Sequence, residues 1–197
     1  MRRAVLLMIL ATLANSALAA GWYKVEVLVF ARNTPVSDEI WNTQLQPRYA
    51  SQSVTIGAPE QSDYVNASDL RRGAWQPISE EETSLQFMME RMASTGEYRE
   101  LYHAGWRQTI GNKSDTTPVY IRGGRTIITD DGNVPELEGT LHFSESRFVH
   151  VSPRLWLNTE SNGERFYVDI SEGRRLTGSD VYYFDHPMFG MLVRVSD

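Results

Sequence analysis

From Tyr98 to the C-terminus the chain keeps returning to a period of two, and such a chain builds sheet rather than helix. Glu136 to Ser144 is the clearest stretch. Leu137, Gly139, Leu141 and Phe143 fall on one side; Glu138, Thr140, His142 and Ser144 fall on the other. Turn signals punctuate the run at Asp131-Gly132-Asn133, Asn162-Gly163, Glu172-Gly173 and His186 to Gly190. Gly123-Gly124, set between Pro118 to Arg122 and Arg125 to Thr129, predicts a two-residue hairpin. Further strands are expected at Tyr98 to Ile110, Phe148 to Leu157, Arg165 to Ile170, Arg174 to Phe184 and Met191 to Val195.

One earlier strand belongs with these. Trp22 to Ala31 puts Tyr23, Val25, Val27 and Val29 on one side, and Trp22, Lys24, Glu26, Leu28 and Phe30 on the other. The first side is apolar throughout and the second becomes so at its end, as in a strand buried first on one face and then on both. One helix is expected from Ser79. Ser79 and Glu82 fit a capping box, and Leu85, Met88, Met89 and Met92 follow as one apolar stripe up to Gly96. Packing of that stripe on a sheet accounts for it better than an adaptable partner surface does. The fold class is therefore α+β: a large, mostly antiparallel β-sheet, laid out as a meander, with one main amphipathic helix. Residues 33–78, with Pro35, Pro47, Pro59 and Pro77, read as a long polar excursion with a short extended piece near Ser53 to Ile56. Trp41, Tyr49, Tyr64 and Trp75 are expected to tack it onto the domain.

The N-terminus has the layout of an export signal. Arg2 and Arg3 precede the apolar run Ala4 to Ala14, and Ala17-Leu18-Ala19 offers small residues for cleavage after Ala19. The run is short of the roughly 20 apolar residues that a membrane span needs. Residues 1–19 are thus expected to be a signal peptide and 20–197 a single domain, secreted to the periplasm with no membrane span in the mature chain. The chain has no Cys, so that domain folds without disulfides and carries no thiolate nucleophile. The mature part holds 17 Lys+Arg against 25 Asp+Glu, a net charge of −8, which argues against nucleic acid as a partner.

Specific catalytic patterns are missing. No G-x-S-x-G, P-loop or H-E-x-x-H occurs in the 197 residues. Of the four histidines, His142 and His150 alone lie where paired strands bring them close, which leaves a metal-dependent hydrolase as one alternative. Asp185-His186 precedes Pro187 in a turn, where an Asp side chain caps backbone amides. No catalytic residue, metal or cofactor is assigned. What remains is binding. Sugar polymers are held by aromatic faces and polar groups, and free carboxylates by the planar fork of Arg. Arg147 to Trp156 mixes both types, and Arg174 and Arg175 follow two strands on. Arg154 and Trp156 are candidates on this chemistry; solvated strand faces and turn residues are the alternative.

In order along nearly the whole mature chain, several short motifs resemble those of the CsiV family of peptidoglycan-binding periplasmic proteins. They are Trp22 to Phe30, His103-Ala104-Gly105-Trp106-Arg107-Gln108, Leu137-Glu138-Gly139-Thr140-Leu141, Arg147-Phe148-Val149-His150-Val151, Leu155-Trp156-Leu157, Arg174-Arg175-Leu176 and Asp185-His186-Pro187-Met188-Phe189-Gly190. The chain departs where the family reads E-L-H-Y, with Asp180-Val181-Tyr182-Tyr183 instead, so no role is carried to Tyr182. The resemblance implies a non-enzymatic envelope protein that binds peptidoglycan and supports wall assembly and cell shape. It also implies a peptidoglycan synthase and its lipoprotein activator as partners. It marks Arg147, His150, Arg174 and Arg175; with Arg154 and Trp156 these are the expected peptidoglycan-binding residues. The alternative is a periplasmic protein–protein adaptor of an envelope complex without direct wall binding, using residues 33–78 or an open sheet edge.

Overall fold

The computed structural model describes residues 20–37, 39–48, 50, 52–129, 132–161 and 163–197. The expected signal peptide at 1–19, with Tyr49, Asp131 and Asn162, lies outside the described residues. The elements are β1 (Gly21–Arg32), β2 (Val54–Thr55), α1 (Ala67–Arg71), α2 (Leu85–Ala93), β3 (Tyr98–Ile110), β4 (Val119–Thr129), β5 (Gly132–Glu145), β6 (Val149–Ser161), β7 (Glu164–Ile170), β8 (Arg174–Leu176), β9 (Val181–Asp185) and β10 (Phe189–Ser196). The α+β class holds, with the strands divided between two sheets. One has four strands in the order β3-β1-β10-β9; the other runs β2-β4-β5-β6-β7, with β8 also pairing β6. All pairings are antiparallel except β2 with β4.

Alternation explains how these sheets stack. Val25, Val27 and Val29 of β1, with Met191, Val193 and Val195 of β10, form one inner face. They share a core with Leu137, Leu141, Phe143, Val151, Leu155 and Leu157 of β5 and β6. Trp106 meets Phe143 edge-on at 6.1 Å within it. Each such fully buried side chain contributes roughly 1.5–3 kcal/mol. The second face of the four-stranded sheet carries Leu28, Phe30 and Leu192, and α2 covers it with Leu85 and Met89. The layers are therefore helix, four-stranded sheet and six-stranded sheet.

Several local readings change. Gly123-Gly124 does not turn the chain: β4 runs straight through, with a register irregularity between Gly123 and Thr126. A Cβ on Gly123 would stand 2.0 Å from the Leu101 carbonyl oxygen of β3, and Gly124 has a φ of 71°. The glycines serve a bulge and a close approach of backbones where the two sheets meet. The expected strand from Arg174 to Phe184 is likewise broken, into β8 and β9, and Gly178 in the turn between them has a φ of 71°.

The helix starts at Leu85 and not at Ser79. Ser79 and Glu82 still meet at 3.4 Å, but around a separate turn of 3-10 helix at Glu80–Glu82. The cap of α2 comes from Glu26, 58 residues earlier, on the helix-facing side of β1. Its carboxylate accepts hydrogen bonds from the Ser84 amide at 2.9 Å, the Leu85 amide at 2.6 Å and the Ser84 hydroxyl at 3.0 Å. His103 Nε2 lies 3.0 Å from the same group. Burial would raise the Glu26 pKa, yet bonds from His103, Leu85 and Ser84 outweigh it and hold the pKa below the ordinary 4.5. A buried anion here satisfies the amides that a helix start leaves open. Met88 leaves the stripe and stands exposed beside Phe87.

The excursion contains β2, at the expected extended piece, and α1. Trp75 is buried in the core with a φ of 57°, a left-handed backbone rare for a large side chain. Trp41 packs partly on the core, whereas Tyr64 is exposed and makes its long-range contact through its carbonyl, which accepts from the Thr117 hydroxyl. Beside Trp75, the amides of Trp75 and Ile78 donate to Arg107 and Gly105 carbonyls of β3 at 2.8 and 2.9 Å.

Candidate functional site

The six-stranded sheet has a second face that α2 does not reach. Strand register sets its residues in rows. Arg122, Glu138, Trp156 and Asp169 form one row, and Tyr120, Thr140 and Arg154 the next. His142 stands opposite Ser152, and Ser144, His150 and Arg175 make the last row. Although this face is an outer one, Glu138, Thr140, Trp156 and Asn158 are all buried. Flat and branched neighbours lie close enough on the pleat to exclude water from each other. The Tyr120 hydroxyl donates to Glu138 at 3.3 Å. The pKa values of Tyr120 and Tyr167 are both raised above 10.0, by burial first and then by the charge of Glu138. Both phenols therefore remain protonated at neutral pH and keep a hydrogen to donate. The result is a broad, stiff platform of rings, amide and guanidinium groups.

One corner of that platform is built differently. Phe148, half-buried just before β6, carries the Arg147 guanidinium 5.4 Å from its ring centre and that of Arg175 at 4.7 Å. His150 Nδ1 bonds the Phe148 carbonyl at 2.9 Å, which fixes the ring and turns Nε2 away from that bond. Both arginines are exposed. Among the described residues, Arg147, Arg154 and Arg175 have no carboxylate partner, whereas Arg32, Arg99, Arg107, Arg165 and Arg174 do. Next to Phe148 a cavity of about 290 Å³ opens, lined also by Tyr23, Val149 and Leu176. The Tyr23 hydroxyl donates to Glu145 at 2.8 Å, and burial, then Glu145, pushes its pKa to about 12.

Of the six expected residues, five share this face. Arg147, His150 and Arg175 gather at the Phe148 corner; Arg154 and Trp156 follow along β6. Arg174 is separated from them, because neighbours on a strand point to opposite sides. Its guanidinium lies 4.9 Å from the Phe184 ring centre and donates to the Tyr183 carbonyl of β9 at 2.7 Å, which joins the edges of the two sheets. Tyr120, Arg122, Glu138, Asn158 and Tyr167 were not singled out from the sequence, although Glu138 was read as outward-facing. The others needed the register between strands.

The histidines do not assemble a metal site. His142 Nε2 faces the hydroxyl and carbonyl oxygens of Thr116 at 2.8 and 3.0 Å, and burial lowers its pKa. Among the described residues no three His, Asp or Glu side chains are grouped to hold an ion. Asp185 bonds Arg32 at 2.9 Å and also accepts from the Tyr183 hydroxyl. His186 Nδ1 accepts from the Met188 amide at 3.1 Å, between the rings of Trp41 and Phe189. Both residues thus hold a turn.

A family model described as "Peptidoglycan-binding protein, CsiV" matches residues 3–197. The chain belongs to the CsiV family. No curated protein and no solved structure matches it. The CsiV motifs now have physical roles in this fold. The first motif is β1, which pairs β3 on one side and β10 on the other. In Asp185-His186-Pro187-Met188-Phe189-Gly190, Asp185 anchors Arg32, Phe189 fills the core, and Gly190 leaves room for rings. A Cβ there would lie 2.6 Å from Phe30 and 2.9 Å from Tyr183. At the departure from the CsiV pattern, the Tyr182 hydroxyl bonds the amide, hydroxyl and carbonyl of Thr177 and so pins the turn before β9. No helix among the described residues is long and apolar enough to cross a membrane.

Proposed function

We propose that this CsiV protein is exported by the signal peptide at 1–19, and that residues 20–197 form one periplasmic domain. It binds peptidoglycan through the outer face of the six-stranded sheet and breaks no bond in it. The observation that carries this reading is the uncovered face itself. Aromatic rings lie there on the sheet, and Arg122, Arg154 and Arg175, with Arg147 beside them, have no carboxylate partner among the described residues, on a chain of net negative charge. Aromatic faces suit sugar rings, and unpaired guanidiniums suit anionic wall peptides. Arg147, His150, Arg154, Trp156 and Arg175 are the proposed contacts. Arg174 acts through the fold, by tying β8 to β9.

Support of wall assembly and cell shape follows if the protein carries partners to the wall. A peptidoglycan synthase and its lipoprotein activator are the proposed partners. They would meet the opposite side, where Phe87 and Met88 are exposed on α2. The test is sedimentation of the mature protein with purified sacculi, with the supernatant checked for released muropeptides. Co-sedimentation without release is the expected result. Failure to sediment removes the wall-binding reading, and released fragments remove the non-catalytic one.

A further inference from the structure

Resting on that reading, we infer that the Phe148 corner recognises free carboxylates of the peptidoglycan stem peptides, gripped between Arg147 and Arg175. Two guanidiniums are held against one ring, at 5.4 and 4.7 Å from its centre. A ring can attract both cations, but the cations repel each other, and neither has an acidic partner among the described residues. Glu145, at the start of the same loop, accepts from Tyr23 instead. A carboxylate laid across the ring edge receives N–H donors from both arginines and offsets their repulsion. The flat guanidinium fork suits a carboxylate better than it suits a neutral sugar hydroxyl.

The arrangement is also fixed in advance. Phe148 is half-buried, its carbonyl is held by His150 Nδ1, and Arg175 sits opposite His150 in the β6–β8 pairing. The ring and the strand pairing are therefore set before binding, and the ring contact restrains the two guanidiniums. The remainder of the face, with Tyr120, Trp156 and Tyr167, is left for the glycan. The corner therefore reads the peptide and not the sugar chain.

The test compares native sacculi with sacculi whose carboxyls have been converted to methylamides by carbodiimide and methylamine. Wild-type protein is expected to bind the amidated wall about tenfold more weakly. The Arg147→Ala/Arg175→Ala variant is expected to bind native sacculi about tenfold more weakly and to lose nothing further on amidation, the pattern of a shared interaction. A soluble stem tetrapeptide should compete with native sacculi for wild-type protein, and its amidated form should not; this arm needs no variant. Equal binding of wild-type protein to native and amidated walls overturns the carboxylate assignment and leaves wall binding intact. Absence of binding to native sacculi overturns the wall-binding reading and this assignment with it.

Discussion

The two outer faces of this molecule show opposite uses of the same architecture. On the four-stranded sheet the outer face is apolar at Leu28, Phe30 and Leu192, and a helix covers it. Its buried charge, Glu26, is spent on capping that helix. On the six-stranded sheet the outer face mixes tyrosine, tryptophan, histidine and arginine with Glu138, Asp169 and small polar residues, and among the described residues α2 covers the other sheet instead. One face is committed to stability; the other sets partly buried rings and exposed cations on a rigid base. A sheet that leaves such side chains uncovered, when the same chain can cover a face, has a ligand as the simplest reason for doing so.

That contrast can be broken by substitution. The largest effect is expected from Glu26→Ala, which strands buried amides at the start of α2. A loss of about 3 kcal/mol is expected in chemical denaturation, with wall binding by the folded fraction unchanged. Weakened binding with intact stability would reverse the roles assigned to the two faces. Gly123→Ala comes next, at about 2 kcal/mol, because a methyl group would press on the Leu101 carbonyl where the sheets meet. Acid sharpens the first result. The depressed pKa of Glu26 adds stability that is complete above its unfolded value, near 4.5, and is lost as pH falls below that. Melting of the wild-type protein should therefore fall more steeply below pH 4.5 than that of Glu26→Gln.

A smaller pair of effects separates neighbours in the chain. Arg174→Ala should cost about 1 kcal/mol of stability through the lost bond to Tyr183 and leave sedimentation with sacculi alone. Arg154→Ala, on the uncovered face, should change stability by no more than about 0.5 kcal/mol and weaken sacculus binding a few-fold. Should the Arg174 variant prove the weaker binder of the two, the division of that arginine pair by the strand would be mistaken.

Much of this was legible in the sequence, because alternation and turn residues are local properties. Tyr98 to Ile110 could be read as β3 at both ends, and the set Leu137, Leu141 and Phe143 did face the core. Distant contacts were not legible. Gly123-Gly124 has the composition of a hairpin turn, and only the Leu101 carbonyl pressing against it shows why glycine is needed in a continuous strand. The start of α2 was misplaced because its cap lies on β1. In the candidate site, Arg154 and Trp156 were chosen by chemistry and Arg147, His150 and Arg175 through the family resemblance; strand register and the Phe148 contacts bring them together. The separation of Arg174 from Arg175 was available earlier, since adjacent residues of any strand point to opposite faces.

The segment from Trp75 to Ile78 has one last consequence. Its amides occupy carbonyls along the margin of β3, while Arg174 takes a carbonyl on the far margin, at β9. Each rim of the four-stranded sheet is thus met in part by the chain itself. A stray polypeptide must displace those contacts to pair along either rim, which works against fibril-like self-templating.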